Sequence, residues 1–110
     1  MAINFELSQT IGKPIEEVFL FVGDFSNMPY WNYYIQTVTK ISGGDTGVGS
    51  IFEMKRPHDL NTYKITGFDA PGKITVELQP PGPQQQLIFE LSSNGKQTNV
   101  IYKWHLDLEK

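Results

Sequence analysis

The chain has 110 residues, a formal net charge of −3 and no cysteine. That length fits one domain, spanning residues 1–110, with a core of its own. Because cysteine is absent, a disulfide scaffold, a thiolate metal site and a cysteine nucleophile are all excluded. The same absence fits a reducing, cytoplasmic location.

The charge pattern argues against two classes of partner. The balance is acidic, with a sequence pI of about 5.2, and Arg56 is the single arginine. Nucleic acid and anionic membrane surfaces are recognised by clustered Lys and Arg. No apolar run approaches the roughly 18 residues that a membrane span requires, so we expect neither nucleic-acid binding nor membrane insertion.

The first third of the chain has the pattern of a strand followed by a helix. Apolar and polar residues alternate over residues 3–10, which predicts a half-buried strand. Pro14 suits the first turn of a helix, Gly23 is placed to end it, and Pro29 is placed to open one short further turn. The predicted helix has one apolar face with i, i+3, i+4, i+7 spacing, formed by Ile15, Val18, Phe19 and Val22.

From residue 34 onward every segment has the pattern of a strand. The predicted strands cover residues 34–41, 50–56, 62–68, 73–79, 84–91 and 98–108. The turns between them are short, and short turns join antiparallel strands because parallel pairing needs long crossovers. The predicted fold class is therefore α+β, with about seven antiparallel strands and the helices inserted after the first strand.

The alternation within these strands also assigns faces. One face is mixed in charge, as expected of a solvated surface. The other is apolar and far larger than the helix at residues 14–23 can cover. It comprises Phe52, Met54, Tyr63, Ile65, Val76, Leu87, Phe89, Val100, Tyr102, Trp104 and Leu106. Two interpretations are open: an ordinary core, or a ligand cavity in which Tyr63, Tyr102, Trp104 and Arg56 supply the polar groups.

Motifs for other chemistry are weak. The glycine-rich stretch at residues 43–49 leads into a strand rather than a helix, so we interpret it as a turn and not a phosphate loop. His58 lies in a turn and His105 on the polar face of the last predicted strand, and neither has a second ligand at metal-binding spacing. No carboxylate pair shares the apolar face. We predict no metal, no cofactor and no assigned catalytic residue.

Taken together, these segments resemble a known family. The order PIEEVF at 14–19, DFSNMPYW at 24–31, GVGSIF at 47–52 and ITGFDAPGK at 65–73 is similar to the START-like (SRPBCC) superfamily of polyketide cyclase/dehydrase type. The resemblance covers about residues 3–108. It implies a helix-grip fold, in which a curved antiparallel sheet grips a long C-terminal helix over a hydrophobic cavity. The uncovered apolar face would then be the cavity wall.

The sequence departs from this family in one respect. It stops at Lys110, directly after the last predicted strand, whereas crossing the sheet takes roughly 20 helical residues at 1.5 Å each. Two interpretations remain: a short member of the family that closes its cavity by dimerising, or a piece whose helix is missing. Because apolar faces of this size mark interaction surfaces, we expect a homodimer through the open face.

The resemblance implies that a small hydrophobic ligand, such as a lipid, an isoprenoid or a polyketide-like aromatic, is bound in this cavity. The expected ligand-binding residues are Phe52, Met54, Arg56, Tyr63, Ile65, Val76, Leu87, Phe89, Tyr102 and Trp104. A cyclase or aromatase is an alternative, but no family catalytic residue can be carried over to this chain. A protein-interaction module using the open face is a further alternative.

Overall fold

The computed structural model describes residues 2–30, 35–80 and 84–107. It contains one helix, one 3-10 helix and one sheet of seven antiparallel strands in the described residues. The elements are β1 (Ala2–Ile11), α1 (Ile15–Gly23), the 3-10 helix (Phe25–Tyr30), β2 (Thr37–Lys40), β3 (Ile51–Arg56), β4 (Asp59–Asp69), β5 (Lys73–Leu78), β6 (Gln84–Asn94) and β7 (Gln97–Asp107).

The sheet is open and curved. Strands β2 to β7 form a meander, and the first strand pairs with the last. Its order is β1-β7-β6-β5-β4-β3-β2, so β1 and β2 are the two edges. This confirms the predicted α+β class and the antiparallel pairing. The longest helix in the described ranges is α1, with nine residues, and the long helix of the family fold is not among the described elements.

The cross-strand register confirms the predicted apolar face. Directly paired residues share a face, and one row runs Ile65, Val76, Leu87 and Trp104 across four adjacent strands. We call this side, which faces α1, the concave face. The convex face carries the predicted charges, including Glu90, which lies 3.0 Å from the Lys103 ammonium.

A β-bulge in β4 keeps this face continuous. The register shifts between Ile65 and Gly67, so Thr66 is extra and Phe68 returns to the concave face opposite Ile74. A Cβ on Gly67 would lie 3.3 Å from the Thr75 side chain, so glycine permits the close approach of the two strands. Phe68 then packs edge-on against Phe19 of α1, with ring centroids 5.4 Å apart.

The core lies between the concave face and the two helices. Val18, Phe19 and Val22 of α1 are buried as predicted, and Phe25 and Met28 of the 3-10 helix join them. Phe25 packs between the rings of Phe52 and Phe89. The described sheet residues that complete the buried core are Phe52, Met54, Tyr63, Ile65, Ile74, Val76, Leu87, Phe89 and Leu91, together with Ile35.

The expectation that the whole apolar face is uncovered is therefore wrong. The prediction counted only the helix at residues 14–23 as cover for this face. The 3-10 helix covers it as well and buries the part formed by β3 to β6. The exposed part lies at the β1 edge. The prediction of a half-buried first strand is also wrong, because α1 contacts β6 and β7 but leaves β1 exposed on both sides up to Thr10.

Most element boundaries agree with the sequence patterns, with a few differences. β4 begins at Asp59, because Arg56 pairs with Asp59 across the turn and the ladder continues through residues predicted to be loop. β6 reaches Asn94 and β7 begins at Gln97, so the hairpin loop has two residues, of which Gly95 (φ 67°) is the first. The predicted strand at 34–41 is shortened to Thr37–Lys40, and its first residue, like the loop residues 81–83, lies outside the described residues.

Candidate binding site

An apolar cavity of about 380 Å³ lies between α1 and strands β1, β6 and β7. It is open on the side of the β1 edge strand, where the neighbouring apolar side chains are exposed. The described residues that line it are Leu7, Ser8, Gln9, Ile11, Phe21, Val22, Phe89, Val100 and Tyr102.

The floor of this cavity is built by one row of the sheet. Leu7 pairs with Tyr102, and Tyr102 pairs with Phe89, so the three side chains lie next to one another on the concave face. The rings of Phe89 and Tyr102 are 5.1 Å apart and tilted by 41°. The floor is therefore apolar and aromatic with a single phenol group.

The roof of the cavity comes from α1. Val22 belongs to the buried stripe of the helix, and Phe21 follows the helical turn toward β1, where 46% of its surface stays exposed. Leu20 on the same helix points into solvent, with 75% of its surface exposed, and does not line the cavity. Because Val22 faces the core, the next residue around the helix, Phe21, lies at the opening of the cavity and forms one side of it.

Tyr102 is the titratable group among the described residues that line the cavity. Burial, with a smaller contribution from the nearby Tyr63 phenol, raises the pKa of Tyr102 to about 12. Its hydroxyl therefore keeps its proton at neutral pH, when it can donate a hydrogen bond but does not serve as a base. This suits the orientation of a polar group on an otherwise apolar ligand.

Of the ten residues predicted to bind ligand, Phe89 and Tyr102 line the cavity. Six others are buried in the core beside it, as Phe89 also is: Phe52, Met54, Tyr63, Ile65, Val76 and Leu87. Tyr63 donates a hydrogen bond of 2.8 Å to the Gln85 side-chain oxygen. Desolvation by burial raises the pKa of Tyr63 as well.

The remaining two, Arg56 and Trp104, do not line the cavity. Arg56 donates from Nε and Nη2 to the two Asp59 carboxylate oxygens, at 2.8 and 2.6 Å, across the β3–β4 turn. This hydrogen bond holds the pKa of Asp59 below its ordinary value. Trp104 lies on the concave face beside Leu87 and packs against the core, but it does not line the cavity. It also borders a second, more open hollow of about 500 Å³, whose other walls include Phe5 and mostly polar residues of the convex face.

Several lining residues were not in the predicted set. Val100 was assigned to the apolar face but not to the site. Leu7, Gln9 and Ile11 were missed because they belong to β1, whose pairing with β7 joins the two ends of the sequence. Phe21 lies off the helical stripe. The sequence did contain a sign of its role, because an apolar residue outside the buried stripe of an amphipathic helix often contacts another apolar surface.

Other chemistry finds no support in residues 2–30, 35–80 and 84–107. No group of three His, Asp or Glu side chains there is arranged to hold a metal ion, and neither helix has the length and apolar character that crossing a membrane requires. His58 is exposed, and His105 lies on the convex face with its Nδ1 against the Asn4 side-chain oxygen. Gly44 and Gly49, at φ 81° and 95°, shape the turn before β3.

Comparison with known proteins gives a family and a fold. Residues 2–110 match the model of a family described as "Polyketide cyclase / dehydrase and lipid transport". The crystal structure of Ara h 8.0201 is similar, with a TM-score of 0.76, 14% identity, and coverage of 100% of this chain and 80% of that one. CalU16 from Micromonospora echinospora is similar, with a TM-score of 0.73, 18% identity, and coverage of 98% and 63%. Both show the helix-grip fold. No curated protein matches the sequence.

Proposed function

The chain belongs to the polyketide cyclase/dehydrase and lipid transport family, and we propose that it binds a small hydrophobic ligand, such as a lipid, an isoprenoid or a polyketide-like aromatic. The observation that supports this is the cavity of about 380 Å³ with apolar walls and one partly buried phenol. Its volume lies within the roughly 300–1,000 Å³ that is typical of small-molecule sites.

In this proposal Phe89 and Tyr102 contact the ligand directly, together with Leu7, Phe21 and Val100. Phe89 supplies apolar area, and Tyr102 donates a hydrogen bond to the polar group of the ligand. The six buried members of the predicted set pack in the core on the same face of the sheet, beside the cavity. Arg56 is engaged by Asp59, and Trp104 packs against the core without lining the cavity, so we assign neither of them to the ligand.

Binding is favoured over catalysis by the chemistry of the walls. An acid–base mechanism needs a group whose pKa lies near the working pH. Tyr102, with a pKa of about 12, does not meet this condition, and the other described lining residues carry amide, hydroxyl or hydrocarbon side chains. A cyclase activity would need a second titratable group to converge on the Tyr102 hydroxyl.

We also propose that a second copy covers the apolar side chains that α1 leaves exposed. Ile3, Phe5 and Leu7 expose 39%, 49% and 56% of their surfaces, and Leu7 lines the cavity together with the half-exposed Phe21. Contiguous apolar surface of this kind marks an interaction site. Sedimentation of the chain as a monomer at high micromolar concentration would contradict this part of the proposal.

The binding proposal is tested by placing a charge at the mouth of the cavity. We expect Phe21→Asp to weaken binding of a fluorescent fatty acid at least tenfold, because the carboxylate must be desolvated beside the bound chain. Leu20→Asp is the matched control: it lies on the same helix, is more exposed and does not line the cavity. It should change the affinity less than twofold.

A second pair of variants fills the cavity from the sheet. Val100→Trp adds volume inside it, whereas Ile101→Trp adds the same group one residue away on the convex face. Circular dichroism and the melting temperature establish that each variant folds. Equal affinities in Val100→Trp and Ile101→Trp, with Phe21→Asp also unchanged, would place the ligand elsewhere and refute the assignment of the site.

A further inference from the structure

The two edges of the sheet differ in how they are protected. β2 is four residues long, ends in Lys40 and packs beside the 3-10 helix. β1 is ten residues long, and its register with β7 runs without a bulge from Ala2 to Ile11. It contains no Lys and no Pro. Sheets ordinarily protect their edges with short strands, bulges, Lys or Pro, so β1 is a template for pairing with another strand.

The side chains of β1 restrict what can pair with it. Ile3, Phe5 and Leu7 lie on the concave face, and Asn4 and Glu6 lie on the convex face. Because side chains alternate with a period of two, a partner strand must carry apolar residues at alternate positions in the same phase. A second β1 meets this condition, and within the described ranges no strand pairs with the outer edge of β1.

We propose that two copies join by antiparallel pairing of their β1 strands, with Phe5 on the two-fold axis. This makes one continuous sheet with both concave faces on the same side. It rests on the proposed function, since it names the partner that completes the ligand cavity. An isologous contact of this kind closes as a dimer and cannot extend into a fibre.

The register follows from the side chains. With Phe5 on the axis, Ile3 of one copy lies opposite Leu7 of the other, and Asn4 lies opposite Glu6. A register centred on Glu6 would place two carboxylates directly opposite each other, which is destabilising. It would also set Ile3 against Gln9. Of these two registers, the one centred on Phe5 pairs all three apolar residues with one another and separates the charges.

This pairing gives each cavity a residue from the other copy. Leu7 lines the cavity at its open side, and directly paired residues have Cβ atoms about 5 Å apart on the same face. Ile3 of the second copy therefore lies beside Leu7, where it covers the mouth that β1 leaves open. Binding of ligand and association of the two copies then support each other.

Cysteine cross-linking tests the register, because the native chain has no cysteine to interfere. In the proposed register the two Phe5 positions face each other at about 4.5–5.5 Å between Cα atoms, within the range that a disulfide spans. The two Glu6 positions are about 8 Å apart, which is too far. Phe5→Cys should therefore form a covalent dimer under mild oxidation, and Glu6→Cys should not.

A mixture of Asn4→Cys and Glu6→Cys proteins keeps Phe5 in place and should yield the mixed dimer. Cross-linking of Glu6→Cys to itself, or of none of the variants, would overturn the proposed pairing. In sedimentation, Phe5→Glu should be monomeric at a concentration where the native chain is dimeric. Leu60→Glu, at a site that is 59% exposed and far from β1, is the control and should remain dimeric.

Ligand binding separates this inference from the proposed function. We expect monomeric Phe5→Glu to bind the fluorescent fatty acid about tenfold more weakly than Leu60→Glu, because it lacks the Ile3 wall from the second copy. Fatty-acid binding by the native chain without the predicted cross-links would overturn the β1 pairing and leave the proposed function intact. Cross-linking in the predicted pattern without fatty-acid binding would support the β1 pairing and overturn the proposed function.

Discussion

Phe25 is the residue that we expect to contribute most to holding the 3-10 helix against the concave face of the sheet. Its side chain is fully buried, and its ring lies 5.1 Å from Phe52 and 6.1 Å from Phe89. It belongs to a 3-10 helix of six residues, and a helix of that kind has poor hydrogen-bond geometry and little stability of its own. Truncating this ring removes the contact that holds the 3-10 helix on the concave face.

The magnitude follows from the burial. A Phe→Ala change in a core costs about 3–5 kcal/mol, and the two aromatic contacts place Phe25→Ala in the upper half of this range. A domain of this size has a total stability of about 5–15 kcal/mol. We therefore expect Phe25→Ala to lower the free energy of unfolding by about 4 kcal/mol and the melting temperature by at least about 15 °C.

Urea unfolding followed by circular dichroism measures this loss as a shift of the midpoint at constant slope. Tyr30→Ala is the matched control, because Tyr30 belongs to the same 3-10 helix and is exposed. It should change the stability by no more than about 0.5 kcal/mol. If the two variants lose equal stability, the 3-10 helix is not held by its buried ring, and our account of how the core is covered is incorrect.

Two further predictions concern the hairpin and the phenol of the cavity. Gly95→Ala should destabilise the chain by about 1–2 kcal/mol, since Gly95 has a φ of 67°. Gly12→Ala is the control, because Gly12 has open space around it. It should be neutral or slightly stabilising in the same urea assay. Burial raises the pKa of Tyr102 from 10.0 to about 12, so the folded chain keeps a proton there that the unfolded chain loses. The free energy of unfolding should therefore fall as the pH rises from about 10 to about 12, and Tyr102→Phe should reduce that slope; identical slopes in the two proteins would contradict the raised pKa.

Much of the fold could be predicted because local patterns agree with it. The period-two alternation placed Phe52, Met54 and Tyr63 on one face, and the register confirms that assignment. The helical stripe of α1 is buried as predicted. These features depend on residues close in sequence, where side-chain periodicity and turn chemistry act directly. Family resemblance then supplied the helix-grip fold, which the comparisons confirm.

The position of the cavity was harder to predict from the sequence, for a physical reason. A strong apolar pattern identifies residues that leave water, but it does not distinguish a packed core from a cavity wall. Ile65 and Val76 fit the pattern as well as Phe89 does, and all three are fully buried, yet of the three only Phe89 lines the cavity. Phe21 and Leu7 entered the site through contacts between elements that are distant in the sequence.

The sequence by itself determined the class of the fold, the faces of the regularly alternating strand segments and the exclusion of thiol chemistry, because composition and alternation act residue by residue. The tertiary structure decided what covers that face. The bulge after Ile65 returned Phe68 to the core, the 3-10 helix placed Phe25 over the sheet, and β1 joined the far edge at β7 with its apolar side chains exposed. These outcomes depend on how separate elements meet, and this meeting fixes both the cavity and its open side.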